Sequence, residues 1–148
     1  MTNQLVPGNQ IARPLKVLIA DDSASIRTSL SSLISRLPNV EVVGLAENGR
    51  EAIEQIHRLK PDAVTLDVRM PDLTGINVLE WIKKERLELN VIVLTGVAEM
   101  EYRRKCLELG AKFFFHKSTE FEKAIDVLAG LARQRVNPNL NHPTPPIL

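Results

Sequence analysis

Five polar residues draw attention because each sits directly after, or at the end of, a short apolar run. In "LIADDSAS", Leu18–Ser25, an apolar stretch leads straight into two adjacent carboxylates, Asp21 and Asp22. Asp67 follows "AVTL" and opens "DVRMPDLTG", Thr95 follows "VIVL", and Lys117 follows "KFFFH". Adjacent like charges repel and raise each other's pKa unless a cation or a strong donor holds them. Gathered in one place, three carboxylates make a good oxygen cage for Mg²⁺, which takes a few carboxylates together with water and phosphate oxygens. A carboxylate beside such an ion can act as nucleophile toward phosphorus and form an aspartyl phosphate. The ion, an ammonium and a hydroxyl then divide the remaining phosphoryl oxygens among them in a loose transition state.

Taken singly, these residues also have plain structural readings. Asp22 serves equally well as the N-cap of a helix beginning near Ala24, since Asp and Ser favour that position. Asp67 fits a turn before "MPDLTG", Thr95 fits the start of a turn with Gly96, and Lys117 fits a solvated strand end. The chemical reading rests on the set of residues in this order rather than on any one of them.

The elements that must bring them together are legible from periodicity. Strand-like runs cover Lys16–Ala20, Val40–Ala46, Ala63–Leu66, Val91–Leu94 and Lys112–His116, short and nearly continuous as strands covered on both faces should be. Helical patterns lie between them near Ala24–Arg36, Arg50–Arg58, Ile76–Glu85 and Glu99–Leu109, with a last one near Thr119–Gln134. Ile26, Leu30, Leu33, Ile34 and Leu37 predict a buried stripe on the first helix, and Phe121, Ile125, Leu128 and Leu131 predict one on the last. Pro38 and Pro61 end helices, and Gly110 follows one. Five βα units in succession predict a parallel sheet with helices on both faces. In such a sheet, sites form outside the carboxyl ends of the strands where the winding reverses. Asp21, Asp22, Asp67, Thr95 and Lys117 should therefore converge at one edge.

Bulk properties bound the rest. The 148 residues, 44% of them hydrophobic, suit one domain over 15–136, between a loose 1–14 leader and a Pro-rich 137–148 tail with four prolines. The 19 basic and 18 acidic side chains leave no overall field to steer the chain toward nucleic acid or a membrane surface. A single cysteine, Cys106, excludes an internal disulfide, and no Cys/His cluster has metal-ligand spacing, so a reducing cytoplasm is expected. No apolar run is long enough to span a bilayer. Cys106 reads as a small, partly buried helix residue, and His57, His116 and His142 are assigned no catalytic role. "YRRK", Tyr102–Lys105, reads as a solvated helix face. Phe113, Phe114 and Phe115 should alternate across a strand, with at least two of them packing in the core.

In the acidic pair, the "LDVRMPDLTG" stretch, Thr95 and Lys117, taken in order, the chain resembles the receiver domains of two-component response regulators over about Leu15–Leu131. The resemblance implies a flavodoxin-like (βα)5 fold, an α/β doubly wound five-stranded parallel sheet of order 2-1-3-4-5. It implies Asp67 as phosphoryl acceptor and Mg²⁺ as cofactor, ligated by Asp22, Asp67 and the backbone carbonyl of Arg69, with Asp21 acting through water. Lys117 would contact the phosphoryl group, and Thr95 would swing toward it. The implied switch pairs Thr95 with Phe114 and changes the surface between the fourth and fifth helices. Implied partners are a sensor histidine kinase or phosphotransfer protein, and a second copy of the chain where phosphorylation drives dimerisation. The protein would be a phosphoacceptor switch, not an enzyme acting on a separate substrate.

"VEVVGLAENGREAIE" and "HKS" are similar to the nitrate-regulator-like branch, whose members usually carry a DNA-binding domain. Only about a dozen residues follow the fifth helix, so the expectation is a receiver without an output domain, stand-alone or excised. Direct nucleic-acid binding is then not expected unless such a domain was removed. Ser118 stands where the family often has a cis proline, and Phe114 lacks a phenol at the aromatic switch position. Arg69 and Val97, each two residues beyond a site residue, are expected at the pocket mouth, where they would slow hydrolysis of the phosphate. Two other classes compete. A Mg²⁺-dependent aspartyl phosphohydrolase would want a second acid where Arg69 stands, and a receiver-like interaction module without phosphorylation would lack one of the site residues.

Overall fold

A computed structural model describes residues 5–6, 10–11, 13–97 and 99–136. Two short strands, β1 (Leu5–Val6) and β2 (Gln10–Ile11), pair antiparallel with Leu5 opposite Ile11. They fall inside the 1–14 stretch, where the sequence shows no strand period; the remainder of that stretch before Arg13, and the 137–148 tail, lie outside the described residues.

From Leu15 onward, strands and helices alternate: β3 (Leu15–Ala20), α1 (Ala24–Ser35), β4 (Val40–Ala46), α2 (Gly49–Leu59), β5 (Ala63–Leu66), α3 (Gly75–Lys84), β6 (Asn90–Thr95), α4 (Met100–Glu108), β7 (Phe113–His116) and α5 (Phe121–Val136). The five strands β3–β7 form one parallel sheet in the order β4-β3-β5-β6-β7, which is 2-1-3-4-5 counted along the chain. The central strands are buried almost throughout, with all four residues of β5 inaccessible, because helices cover both faces. Alternation survives at the edges: in β7, Phe114 is buried, Phe113 is exposed, and Phe115 is half-buried and stacked on Phe113 with ring centroids 5.7 Å apart.

Two apolar layers result. On one face Leu18, Val64, Leu66, Val91 and Val93 meet Ala52 and Ile56 of α2, Val78, Leu79 and Ile82 of α3, Cys106 of α4, and Phe114. On the other, Val17, Ile19, Ala63, Ile92 and Leu94 meet Leu30 and Ile34 of α1 with Ala124, Leu128 and Ala132 of α5. The α1 stripe is narrower than its sequence predicts. Leu33 remains 38% exposed because the residues three and four along from Leu30 straddle the seam, and only Ile34 turns fully inward. Cys106 is fully buried rather than partly so, and burial pushes its thiol up to about 11.

Local chemistry sets the helix ends. The N-cap of α1 is Ser23, whose side chain accepts from the Ile26 amide, and not Asp22. Asn48 caps α2, and Thr74 with Asn77 forms a reciprocal capping box on α3. After α4 the chain turns through Gly110 at φ 102°, a left-handed conformation that glycine adopts without Cβ strain. Among the described residues no helix is long and apolar enough to cross a membrane.

Candidate functional site

The carboxyl ends of β3, β5, β6 and β7 place the five polar residues side by side. The sheet's hydrogen bonding continues one residue beyond three of the strands: the Asp21 amide donates to Ala46 O at 3.0 Å, that of Asp67 to Ala20 O at 3.0 Å, and that of Lys117 to Thr95 O at 2.8 Å. These bonds fix the backbone under each functional side chain before any side-chain contact forms.

Asp67 lies at the centre and is only 4% exposed. Its Oδ1 accepts from Thr95 Oγ1 at 2.8 Å and from the Arg69 amide at 3.3 Å, while Oδ2 faces Lys117 Nζ at 3.0 Å. The same ammonium reaches Asp21 Oδ2 at 2.7 Å, and Asp21 Oδ1 accepts from the Ser23 amide at 2.8 Å. Asp22, by contrast, is exposed and makes no hydrogen bond or ion pair among the described residues. Thr95 is fully buried, so its hydroxyl hydrogen bond to Asp67 is shielded from competing water.

The electrostatics follow from this arrangement. Burial pushes the Asp21 carboxyl above the ordinary aspartate range, and the nearby Asp67 charge adds to the rise; the hydrogen bonds from Lys117 and Ser23 only partly counter it. For Lys117, burial works to lower the pKa, but hydrogen bonds to both acids outweigh it and hold the ammonium above its ordinary value. Three carboxylates and one ammonium leave two uncompensated negative charges.

One oxygen from each of Asp21, Asp22 and Asp67 falls within 4.8 Å of the others. An all-carboxylate donor set of this charge suits a hard divalent cation such as Mg²⁺, and the unpartnered Asp22 carboxylate is free to turn toward it. The residues present therefore fit the ion.

The acids open onto a cleft of about 720 Å³ lined by Asp22, Asp67, Thr95 and Lys117 with Arg69, Gly96, Val97 and Glu99. Arg69 and Val97 both border the cleft, the first as an exposed cation and the second as a buried apolar wall only 5% exposed. Sequence reading did not single out Glu99. It also missed Arg27, whose Nη1 donates to the Asp21 carbonyl at 2.7 Å while Nη2 reaches Glu47 at 3.4 Å, so that α1 and the residue after β4 brace the acidic pair. Gly75 is a third such residue: a Cβ there would collide with the carbonyl of Asp67, and its amide donates to Val68 O at 2.8 Å, so α3 starts directly against the Asp67 loop. No periodic pattern marks these three, because each acts through a backbone atom or from a loop.

A doubly wound parallel sheet carrying a lysine-closed acidic pocket at its carboxyl edge defines a signalling module of two-component systems. The chain belongs to the response regulator receiver domain family, whose family profile matches residues 17–129. It is 33% identical over 138 residues to a protein-glutamate methylesterase/protein-glutamine glutaminase of Clostridium acetobutylicum, a match that covers 90% of this chain and 40% of that relative. The chain thus spans less than half the length of that protein. Among solved structures, the receiver domain of the putative response regulator NarL from Mycobacterium tuberculosis superposes with a TM-score of 0.75 at 26% identity, covering 82% of this chain and 98% of that one. A chain of the CheX–CheY–BeF3–Mg²⁺ complex from Borrelia burgdorferi superposes with a TM-score of 0.72 at 28% identity, over 80% of this chain and 90% of that one.

Proposed function

We propose that the protein is a phosphoacceptor switch in which Asp67 takes a phosphoryl group from a phosphohistidine on a sensor kinase or phosphotransfer protein. The observation that carries this reading is the buried Asp67 carboxylate, held at once by the Lys117 ammonium and the Thr95 hydroxyl on the wall of an open cleft. A carboxylate so held is oriented, and the donors that orient it are placed to receive phosphoryl oxygens. An Asp67 oxygen attacks phosphorus, the P–N bond of the phosphohistidine breaks, and its electron pair returns to the imidazole nitrogen. Lys117 takes one phosphoryl oxygen and Thr95 another. Asp22 and Asp67 with the Arg69 carbonyl, helped by Asp21 through water, would hold Mg²⁺, which would supply positive charge to the phosphoryl oxygens.

Thr95 need not swing far in this scheme, since its hydroxyl already donates to Asp67 Oδ1. Phosphorylation exchanges that acceptor for a phosphoryl oxygen and biases Thr95 and Phe114, and with them the α4-β7-α5 surface, toward one of two states. The output is whichever partner binds that state better, a second copy of the chain included. The likeness to a NarL receiver supports the nitrate-regulator-like branch, and that to the methylesterase, of which the match covers 40%, supports a receiver of a kind also found within longer proteins. A cytoplasmic switch, within reach of a kinase, fits the single cysteine.

The test is intact mass after incubation with acetyl phosphate and Mg²⁺. Wild type should gain one phosphoryl mass, about 80 Da, while Asp67→Ala and a chelated sample should not. A gain that persists in Asp67→Ala, or no gain from either acetyl phosphate or a phosphorylated kinase domain, would overturn the proposal.

A further inference from the structure

The basic run on α4 is exposed throughout, but one of its side chains also reaches another element. Arg103 folds back onto β7: Nη1 donates to the carbonyl of Phe114 at 3.2 Å, and the guanidinium carbon stands 5.8 Å from the centroid of the Phe114 ring. β7 is an edge strand, and an edge carbonyl left to solvent is a weak point of any sheet. The Phe114 ring is 6% exposed and belongs to the same apolar layer as Val93, which it faces in register, while Thr95 lies two residues further along the same face of β6. Backbone and side chain of Phe114 are thus gripped by a single side chain from the neighbouring helix.

A separate contact ties the end of β7 to the turn before α5. His116 donates its amide to Glu120 Oε1 at 3.0 Å, and this bond together with the Lys123 ammonium at 3.1 Å holds the Glu120 carboxyl below the ordinary range. Arg103 itself joins α4 to β7, two of the elements whose surface changes in the switch.

We infer that Arg103 is a positioning residue of the switch, holding Phe114 inward and thereby keeping Thr95 turned onto Asp67. This inference rests on the phosphoacceptor reading for its consequence but not for its geometry. A cation over an aromatic face at an exposed site biases the inward ring by about two- to fivefold, and the hydrogen bond to the backbone carbonyl keeps the guanidinium over the ring. Arg103 is itself exposed, so its removal opens no core cavity and leaves the fold intact.

The experiment compares wild type, Arg103→Ala and Arg103→Lys as full chains carrying isotope-labelled phenylalanine. Ring signals of Phe114 and their contacts to Val93 methyls are recorded by NMR, and labelling by acetyl phosphate is followed by intact mass over a range of donor concentrations. In Arg103→Ala the inward-to-outward ratio should fall about two- to fivefold. The maximal labelling rate should drop with the inward fraction, and the donor half-saturation and thermal midpoint should stay close to wild type. Arg103→Lys, which keeps the cation but loses the planar fork, should fall between the two. Phe114 signals that do not move in Arg103→Ala overturn the inference, whatever the labelling shows. Moved signals with an unchanged labelling rate overturn the link to Thr95 and Asp67. A wild-type chain that takes no label overturns the phosphoacceptor reading instead, and the Phe114 signals then decide the grip on their own.

Discussion

Neutralising Asp22 should stabilise the protein when no divalent cation is bound. Asp22 has no partner among the described residues, and one of its oxygens lies within 4.8 Å of an oxygen of Asp21 and of Asp67. Two unit charges at that distance repel by about 0.9 kcal/mol in the dielectric of bulk water, the appropriate medium for an exposed carboxylate. Asp22 feels two such repulsions, and the Lys117 ammonium that bridges the other two acids cancels roughly one of them. The net penalty is about 1 kcal/mol at low salt and less as ionic strength rises. Asp22→Asn keeps the shape and removes the charge, so in EDTA at neutral pH it should unfold at higher urea than wild type by that amount, with an unchanged m-value. Mg²⁺ narrows the advantage. At ten times its dissociation constant the ion stabilises wild type by about 1.4 kcal/mol, and it stabilises the variant less because one carboxylate is gone. Urea unfolding followed by far-UV circular dichroism, with EDTA and with Mg²⁺, gives all four values. A variant less stable than wild type in EDTA, or one that gains as much from Mg²⁺ as wild type does, would refute the electrostatic account of the pocket.

Two further expectations concern acid strength and access. Burial raises the Asp21 pKa above 3.8, so the folded state holds that proton more tightly than the unfolded chain does. The resulting stabilisation is complete below 3.8 and is lost as pH rises through the folded value, hence wild type should lose stability relative to Asp21→Asn on going from pH 4 to pH 7. Unfolding curves at intervals across that range check the sign, and a difference that grows in favour of wild type would contradict it. At the cleft, exposed Arg69 borders the space beside Asp67 through which water must approach an aspartyl phosphate. Arg69→Asn, shorter and uncharged, should lose the phosphoryl mass several-fold faster once the donor is removed, and an equal or slower decay would rule out the proposed shielding.

The fold was open to reading because a parallel sheet covered on both faces imprints itself on composition. β5 runs over Ala63–Leu66 as its apolar run predicts, with all four residues buried and the Thr65 hydroxyl left without a partner among the described residues, while β4 over Val40–Ala46 lies at the sheet edge and carries an exposed Glu41. Helix ends were less legible, because hydrogen bonds from side chains one turn away decide them. The Glu120 side chain takes the His116 amide, and α5 begins only at Phe121. The convergence of Asp21, Asp22, Asp67, Thr95 and Lys117 followed from topology alone: in a doubly wound sheet, residues just beyond parallel strands share one edge.

Topology does not say which of two adjacent acids turns inward. Asp21 is drawn in by the Lys117 ammonium and the Ser23 amide, and Arg27 anchors its carbonyl; Ser23, not Asp22, caps α1, so Asp22 keeps both oxygens free. The pair is therefore divided, one acid spent on holding the lysine against Asp67 and the other left for a cation. Had Asp22 capped the helix, as its sequence position equally allows, its oxygen would be committed to the α1 amides and the cluster would have one fewer carboxylate to offer a metal. A single serine placed one residue later is what leaves the acidic pair able to serve two different ends.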